Sequence, residues 1–249
     1  MIDRRIEEKF LRLLKRANFA VALTGAGIST EAGIPDFRGP EGIYATGKYD
    51  PDKTFNITYF LQDPLPFYKF ARELVELLDE ARPTFAHFFL AELEEKGKLK
   101  AVITQNIDNL HQKAGSKKVI ELHGTIQKSF CLKCKKCFSY EEMKIKIFKE
   151  EVPKCTCGGV IKPDIVFFGE AVKNFYRAKE VASKCDLLLV IGSSLAVYPA
   201  AEIPLFAREK IVIINKEKPE IDFYGKNDIL FIQENIDEFF KKIYPELQI

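Results

Sequence analysis

The sequence predicts an α/β protein: a doubly wound parallel sheet carrying a small cysteine-held module and a helical lobe. Three observations carry that prediction. Short apolar runs recur between amphipathic helical patterns, as expected of parallel strands buried on both faces. Two of these runs end in small-residue turns, Gly25-Ala26-Gly27 and Gly192-Ser193-Ser194. Five of the six cysteines crowd between Cys131 and Cys157.

Composition narrows the classes. A chain of 249 residues with 47% apolar content can bury a sizeable core, as one large α/β domain or one such domain with a smaller module. Net charge of +2 gives no general argument for nucleic acid or membrane surfaces. No apolar run approaches the roughly 20 residues that span a bilayer. The charged start, Met1-Ile2-Asp3-Arg4-Arg5, does not read as a signal peptide. Clustered thiols without a secretory signal point to metal binding in a reducing compartment, so the expected location is cytoplasmic.

In chain order, Ile6, Phe10, Leu13, Leu14 and Ala17 share one helical face. Residues 19–24 form a buried strand that ends at Gly25-Ala26-Gly27. A strand running into Gly-x-Gly before a helix is the layout of a dinucleotide-binding turn, because glycine lets a pyrophosphate approach the backbone. The third glycine of the full fingerprint is missing, since Thr30 stands there. A plain tight turn therefore remains an alternative, and Ser29 and Thr30 could equally be helix caps. Residues 33–40 form a glycine- and proline-punctuated loop carrying Phe37 and Arg38.

Residues 44–66 have little periodicity and form a partly helical lobe or lid. Phe67, Phe70, Ala71, Leu74, Val75 and Leu78 make one helix; Phe85, Phe88, Phe89 and Leu93 make the next. His87 lies on the second, where packing or capping is the expected role. A strand over 100–104 then delivers Gln105, Asn106, Ile107 and Asp108, and a second short apolar run precedes Glu121, Leu122 and His123. Polar side chains crowded where strands end are how open α/β sheets build ligand sites.

Cys131-x-x-Cys134 and Cys155-x-Cys157 are two knuckles roughly twenty residues apart, the layout of a closed tetrahedral Cys₄ zinc site. Cys131, Cys134, Cys155 and Cys157 are the preferred ligands. Cys137 is the spare, and the tight second knuckle leaves open which thiols bind. Lysines between the knuckles form either a surface for an acidic partner or a solvated face. Cys185 is a core thiol.

Beyond the module, a strand over 161–168 with Pro163 near its start suits an edge that could pair with an extended peptide. Helices over 171–184 and 199–208, strands over 186–191, 210–214 and 229–232, and a closing helix over 236–243 complete the sheet.

Taken together, the motifs resemble the sirtuins, NAD-dependent protein deacylases, in their archaeal and bacterial form. The matching stretches are Gly25-Ala-Gly-Ile-Ser-Thr-Glu-Ala-Gly-Ile-Pro-Asp-Phe-Arg38, Thr104-Gln-Asn-Ile-Asp108, Leu110-His-Gln, Glu121-Leu-His-Gly124, the cysteine module, Pro163-Asp-Ile-Val-Phe-Phe-Gly-Glu170 and Gly192-Ser-Ser194. They run in order through nearly the whole chain. The resemblance implies a Rossmann-like NAD-binding domain over 1–40, 84–126 and 161–249, a helical lobe over 41–83 and a zinc-binding module over 127–160.

It also implies roles. Gly25, Ala26, Gly27, Thr30, Phe37 and Arg38 would contact NAD from the glycine turn and its loop. Gln105 and Asn106 would address the nicotinamide ribose, with Ile107 and Asp108 holding the carboxamide. Gly192, Ser193, Ser194, Asn215, Lys216 and Asp237 would meet the adenosine half. Val166, Phe167, Phe168, Gly169 and Val197 would clamp the substrate peptide as an added strand. His123 would be the general base, with Asn106 and Asp108 completing the catalytic set, and His111 would be structural.

The implied reaction moves the acetyl group of acetyl-lysine to ADP-ribose, releasing nicotinamide and 2′-O-acetyl-ADP-ribose. One structural Zn²⁺ accompanies NAD. The expected partners are acetylated proteins, chromatin-associated ones among them, with neither sequence-specific nucleic acid nor membrane. Sirtuins that prefer succinyl- or malonyl-lysine carry Tyr-x-x-Arg. Here Tyr68 is followed by Ala71 at the arginine position and Arg72 one place on, about 100° around the helix. Deacetylation is therefore expected over desuccinylation. The rival readings are mono-ADP-ribosyl transfer from the same site and a nucleotide-sensing or DNA-associated module.

Overall fold

A computed structural model describes residues 4–36, 39, 42, 46–223 and 228–247. In order, the regular elements are α1 (Arg4–Arg16), β1 (Ala20–Thr24), α2 (Pro51–Phe55), α3 (Ile57–Gln62), α4 (Leu65–Glu80), α5 (Phe85–Glu95), β2 (Leu99–Thr104), α6 (Leu110–Lys113) and β3 (Val119–Glu121). There follow β4 (Gly124–Cys131), β5 (Cys137–Ser139), α7 (Tyr140–Lys149), β6 (Ile161–Ile165), α8 (Phe175–Lys184), β7 (Leu187–Ile191), β8 (Lys210–Asn215), β9 (Ile229–Gln233) and α9 (Ile236–Ile243).

The large sheet has the order β3-β2-β1-β7-β8-β9. Its strands are all parallel. Because side chains alternate along a strand, β1 splits its load between the faces. Ala20 and Ala22 pack with Phe10, Leu14, Phe89, Phe239 and Phe240, under α1, α5 and α9. Val21 and Leu23 pack with Ala178, Ala182 and Ile203 on the other face. Two apolar layers explain why these strands are apolar throughout rather than alternating.

The second sheet is small, with the order β5-β4-β6, antiparallel. It corrects one expectation. The segment after residue 160 does not join the parallel sheet, because Ile161–Ile165 pairs with β4 on the small one. The sequence could not show this, because an apolar strand does not name its partner. The edge position expected from Pro163 holds, since β6 has only β4 beside it. The small sheet shares one core with the helical lobe. Phe60, Phe67, Phe70 and Val75 pack with Ile126, Phe138, Met143, Ile147 and Ile161.

Two expected helices are shorter or of another kind. The one expected from 171 begins at Phe175, since Lys173 donates its backbone N–H to Leu122 O instead. The segment after Pro199 is a 3₁₀ helix over Ala200–Phe206, with Pro204 inside it. Among the described residues, no helix is long and apolar enough to cross a membrane.

Candidate active site

Strand order reverses between β1 and β7, and a crevice opens at their carboxyl ends, where open α/β sheets bind ligands. Thr24 pairs with both Thr104 and Ile191, so the turns after β1, β2 and β7 lie level. The two small-residue turns interlock. A Cβ on Gly27 would stand 2.8 Å from Gly192 Cα, and one on Gly192, at φ +62°, would stand 2.4 Å from Ile28 N. Only glycine lets the turns close on each other here.

The helix expected after the glycine turn is absent. Two three-residue 3₁₀ turns follow instead, Ala26–Ile28 and Thr30–Ala32, ended by left-handed Gly33. Turns this short supply no helix dipole to the crevice. What the crevice offers is close backbone approach and side chains. Thr30 turns its hydroxyl onto Gly27 O at 3.1 Å, so it braces the turn.

The polar run after β2 folds into this crevice. Gln105 Nε2 donates to Ser193 Oγ at 2.9 Å, tying β2 to β7 across β1. Asn106 Nδ2 donates to Gly25 O at 3.2 Å and to Ser29 Oγ at 3.1 Å. Ser29 Oγ in turn donates to Asp108 Oδ2 at 2.7 Å, and Leu110 N–H donates to Asp108 Oδ1 at 2.9 Å. Burial pushes the Asp108 carboxyl up, opposed by the bonds from Leu110 and Ser29 and by the nearby Asn106 amide. Ser29 was missed as a site residue, since a hydroxyl beside Gly-x-Gly reads equally as a cap. It makes no side-chain cap bond.

His123 follows β3. Its Nδ1 lies 2.9 Å from Gln105 O, and a carbonyl can only accept, so Nδ1 carries the proton and Nε2 keeps a lone pair. Burial holds the imidazole below its ordinary 6.5, opposed by the Gln105 carbonyl. The ring is thus neutral near pH 7, the state a general base needs. The other two histidines serve packing, as expected. His111 Nε2 lies 2.9 Å from Thr24 Oγ1, and His87 closes a capping box with Thr84.

One cleft of about 580 Å³ gathers nearly all the expected residues: 25–27, Thr30, 105–108, His123, 166–169, 192–194, Val197, Asn215, Lys216 and Asp237. Phe37 and Arg38 lie outside the described residues. Asp237 lines the cleft and also has a structural role that the sequence did not show, because both its carboxylate oxygens accept backbone N–H groups, from Phe85 at 2.9 Å and Ala86 at 3.0 Å. That side chain caps α5 from the edge of the cleft. Phe168 departs from expectation. Its N–H donates to Phe55 O at 2.8 Å and its carbonyl accepts from Ile57 N–H at 3.0 Å, so its backbone is spent on the lobe.

Tyr68 and Arg72 do not line the cleft. The buried Tyr68 hydroxyl donates to Ile161 O, and the Arg72 guanidinium donates to Tyr68 O, Glu150 O and Glu151 O. No carboxylate-binding pair faces the cleft from this helix, in line with the missing Tyr-x-x-Arg.

Sγ atoms of Cys131, Cys134, Cys155 and Cys157 lie within 4.8 Å of one another. Cys131 to Cys157 is 3.4 Å and Cys134 to Cys155 is 3.6 Å, far beyond a disulfide bond and close to the edge of a tetrahedron with metal–sulfur bonds of about 2.3 Å. The Cys155 thiol is drawn down to about 6, first by the Cys157 backbone N–H, which favours the thiolate a metal needs. Cys137 is exposed and its Sγ turns to Phe138 O. The set fits one structural zinc with no open position.

Residues 25–199 match the Sir2 family. The chain belongs to the Sir2 family. A Sulfurisphaera tokodaii NAD-dependent protein deacetylase is 49% identical over 91% of this chain and 90% of its own. A Thermotoga maritima NAD-dependent protein deacetylase is 46% identical over 96% and 97%. Among solved Sir2 structures, one with a p53 peptide and NAD+ superposes with a TM-score of 0.85 at 44% identity, covering 96% of this chain and 97% of that one. Another, bound to an acetylated peptide, gives 0.85 at 41% identity over the same shares. In this Sir2 protein the glycine crevice and the polar run line one cleft.

Proposed function

We infer that the chain is an NAD-dependent protein-lysine deacetylase whose substrates are acetylated proteins. The observation that carries this reading is a neutral His123 whose only free ring nitrogen is Nε2, in one cleft with the glycine crevice and the Val166-to-Gly169 segment. NAD, when bound, supplies a glycosidic bond whose cleavage releases nicotinamide and makes ADP-ribose the acceptor of the acetyl group.

The residues divide the remaining work. Gly25, Gly27 and Gly192 let the dinucleotide reach the backbone. Gln105 and Asn106 are held by Ser193, Gly25 and Ser29, so they present fixed polar edges to the nicotinamide ribose. Asp108, already accepting from Ser29 and Leu110, orients a carboxamide. His123 Nε2 takes a proton from a hydroxyl held against it, and the Gln105 carbonyl steadies the imidazolium through Nδ1–H. The Val166 carbonyl, the Gly169 backbone and the Val197 N–H are the groups offered to an extended peptide, since Val166 N–H and Val197 O are already bonded to His123 O and Ala201 N–H. Cysteines gathered into a metal-sized cluster accord with a reducing, cytoplasmic location.

The test is mass spectrometry of reactions containing NAD and acetyl-lysine peptide. Deacetylated peptide, nicotinamide and O-acetyl-ADP-ribose in equal amounts are expected. Label from NAD accumulating on protein, without that product, would mean mono-ADP-ribosyl transfer instead.

A further inference from the structure

We propose that Lys162 is a positioning residue for the substrate peptide, acting through Glu170 and Phe167 on the backbone segment that lies between them. This rests on reading Val166 to Gly169 as the peptide ledge. Lys162 sits on β6 and is only 7% exposed, an unusual place for an ammonium. Its partners all belong to one short stretch of chain. Lys162 Nζ lies 2.8 Å from Glu170 Oε2, donates to Ile165 O at 2.7 Å, and sits 4.2 Å from the centre of the Phe167 ring.

The Glu170 oxygen that meets Lys162 does a second thing. Glu170 Oε2 also accepts the Phe167 backbone N–H at 2.8 Å. Lys162, Glu170 and Phe167 therefore close residues 162–170 into a loop pinned by one charged pair. Phe167 anchors the loop inward, with its ring buried against Phe60 at 5.2 Å and Phe67 at 5.0 Å. Phe168 anchors it sideways through its bridge to Phe55 and Ile57. The Val166 N–H is itself spent on His123 O at 2.9 Å, so with these residues fixed the Val166 carbonyl and the Gly169 backbone have one conformation to offer.

A surface Lys–Glu pair would contribute little, but this one is mostly withdrawn from water, and its geometry is set by backbone acceptors as well as by the carboxylate. Removing the ammonium would leave Glu170 free to swing toward solvent, where it is already part-exposed, and the Phe167 N–H would lose a fixed acceptor. The ledge would then have to be ordered by the peptide itself, which weakens peptide binding without touching the chemistry. Lys173 and Asp164 lie alongside but pair with each other.

The experiment compares Lys162→Met, Lys162→Arg, Lys162→Met/Glu170→Gln and Gly169→Ala, with KM for peptide, KM for NAD and kcat measured for each. Gly169, at φ +91°, sits on the ledge itself, and a Cβ there would come 3.1 Å from Ile57 Cγ2. Lys162→Met is expected to raise peptide KM about tenfold, the loss of a charge-assisted bond, while kcat and NAD KM stay within about twofold. Lys162→Arg should return peptide KM to within about threefold of the parent. The double variant, which removes the stranded carboxylate as well, should also raise peptide KM, by no more than Lys162→Met does, and it serves if the single variant does not fold.

Unchanged peptide KM in Lys162→Met, or in the double variant, while Gly169→Ala raises it would overturn the role of Lys162 and leave the ledge standing. Equal rises in peptide and NAD KM would also overturn it, as general loosening. Unchanged peptide KM in both Lys162→Met and Gly169→Ala would overturn the ledge itself, and the inference with it.

Discussion

The two walls of the cleft are built on different principles. The cofactor wall stands at the carboxyl ends of β1, β2 and β7, where the backbone ladder fixes every turn and three glycines let the turns close on one another. The wall proposed to hold the peptide hangs from a small antiparallel sheet and the helical lobe, which share one core, and it is tied by side chains: a cysteine cluster, a buried lysine and packed phenylalanines. Geometry set by strand ends is hard to lose without losing the sheet. Geometry set by side chains can be removed one group at a time. The two halves of the reaction should therefore be separable by mutation.

The largest effect is expected from the cysteine cluster. Cys155→Ser, or stripping zinc with a chelator, removes a structural site of the kind worth about 10 kcal/mol or more in small zinc modules. Zinc content should fall and peptide binding should be lost, while calorimetry should still detect NAD. Loss of NAD binding along with peptide would mean that the two walls are one cooperative unit.

His123→Ala is next, at the seam between the walls. Nicotinamide release should fall by about 10²–10⁴-fold with an unchanged thermal melt, as for loss of a general base. Turnover near the parent's would remove His123 from that role.

Gly192→Ala breaks the opposite wall. A Cβ held 2.4 Å from Ile28 N at φ +62° should raise NAD KM by at least about tenfold, with peptide KM much less affected. Steady-state kinetics with each substrate varied in turn gives the ratio.

The last effect concerns pH. Burial holds His111 down to about 3, and it holds His87 well below 6.5, aided by the nearby His111. The unfolded chain would bind protons at these sites below pH 6.5 and the folded chain would not. Stability should therefore be full above pH 6.5 and fall as pH drops below it, by up to about 1.4 kcal/mol per pH unit for each histidine. His123 shifts the same way, so the acid limb of activity should have its midpoint below 6.5. Melts and rate profiles between pH 5 and 8 check both signs.

Much of this was legible in the chain. Val, Ile and Leu runs alternating with amphipathic helices fix a buried parallel sheet, because two apolar faces demand strands that are apolar throughout. Cys-x-x-Cys and Cys-x-Cys at their spacing predict a metal-sized cluster, because two close pairs of thiols at that spacing can meet around one tetrahedral ion. The ordered motifs fix the family. The sequence left undetermined whatever depends on which long-range partner a group meets. Ile161–Ile165 reads as a strand, yet only packing decides that it pairs with β4. Asp237 reads as a polar group near a ligand, yet the fold also sets its carboxylate on the N-terminus of α5. Lys162 reads as one lysine among many until the fold buries it against Glu170 and Phe167. A side chain's type is local, but its hydrogen-bond partner and its distance from water are set by residues tens of positions away.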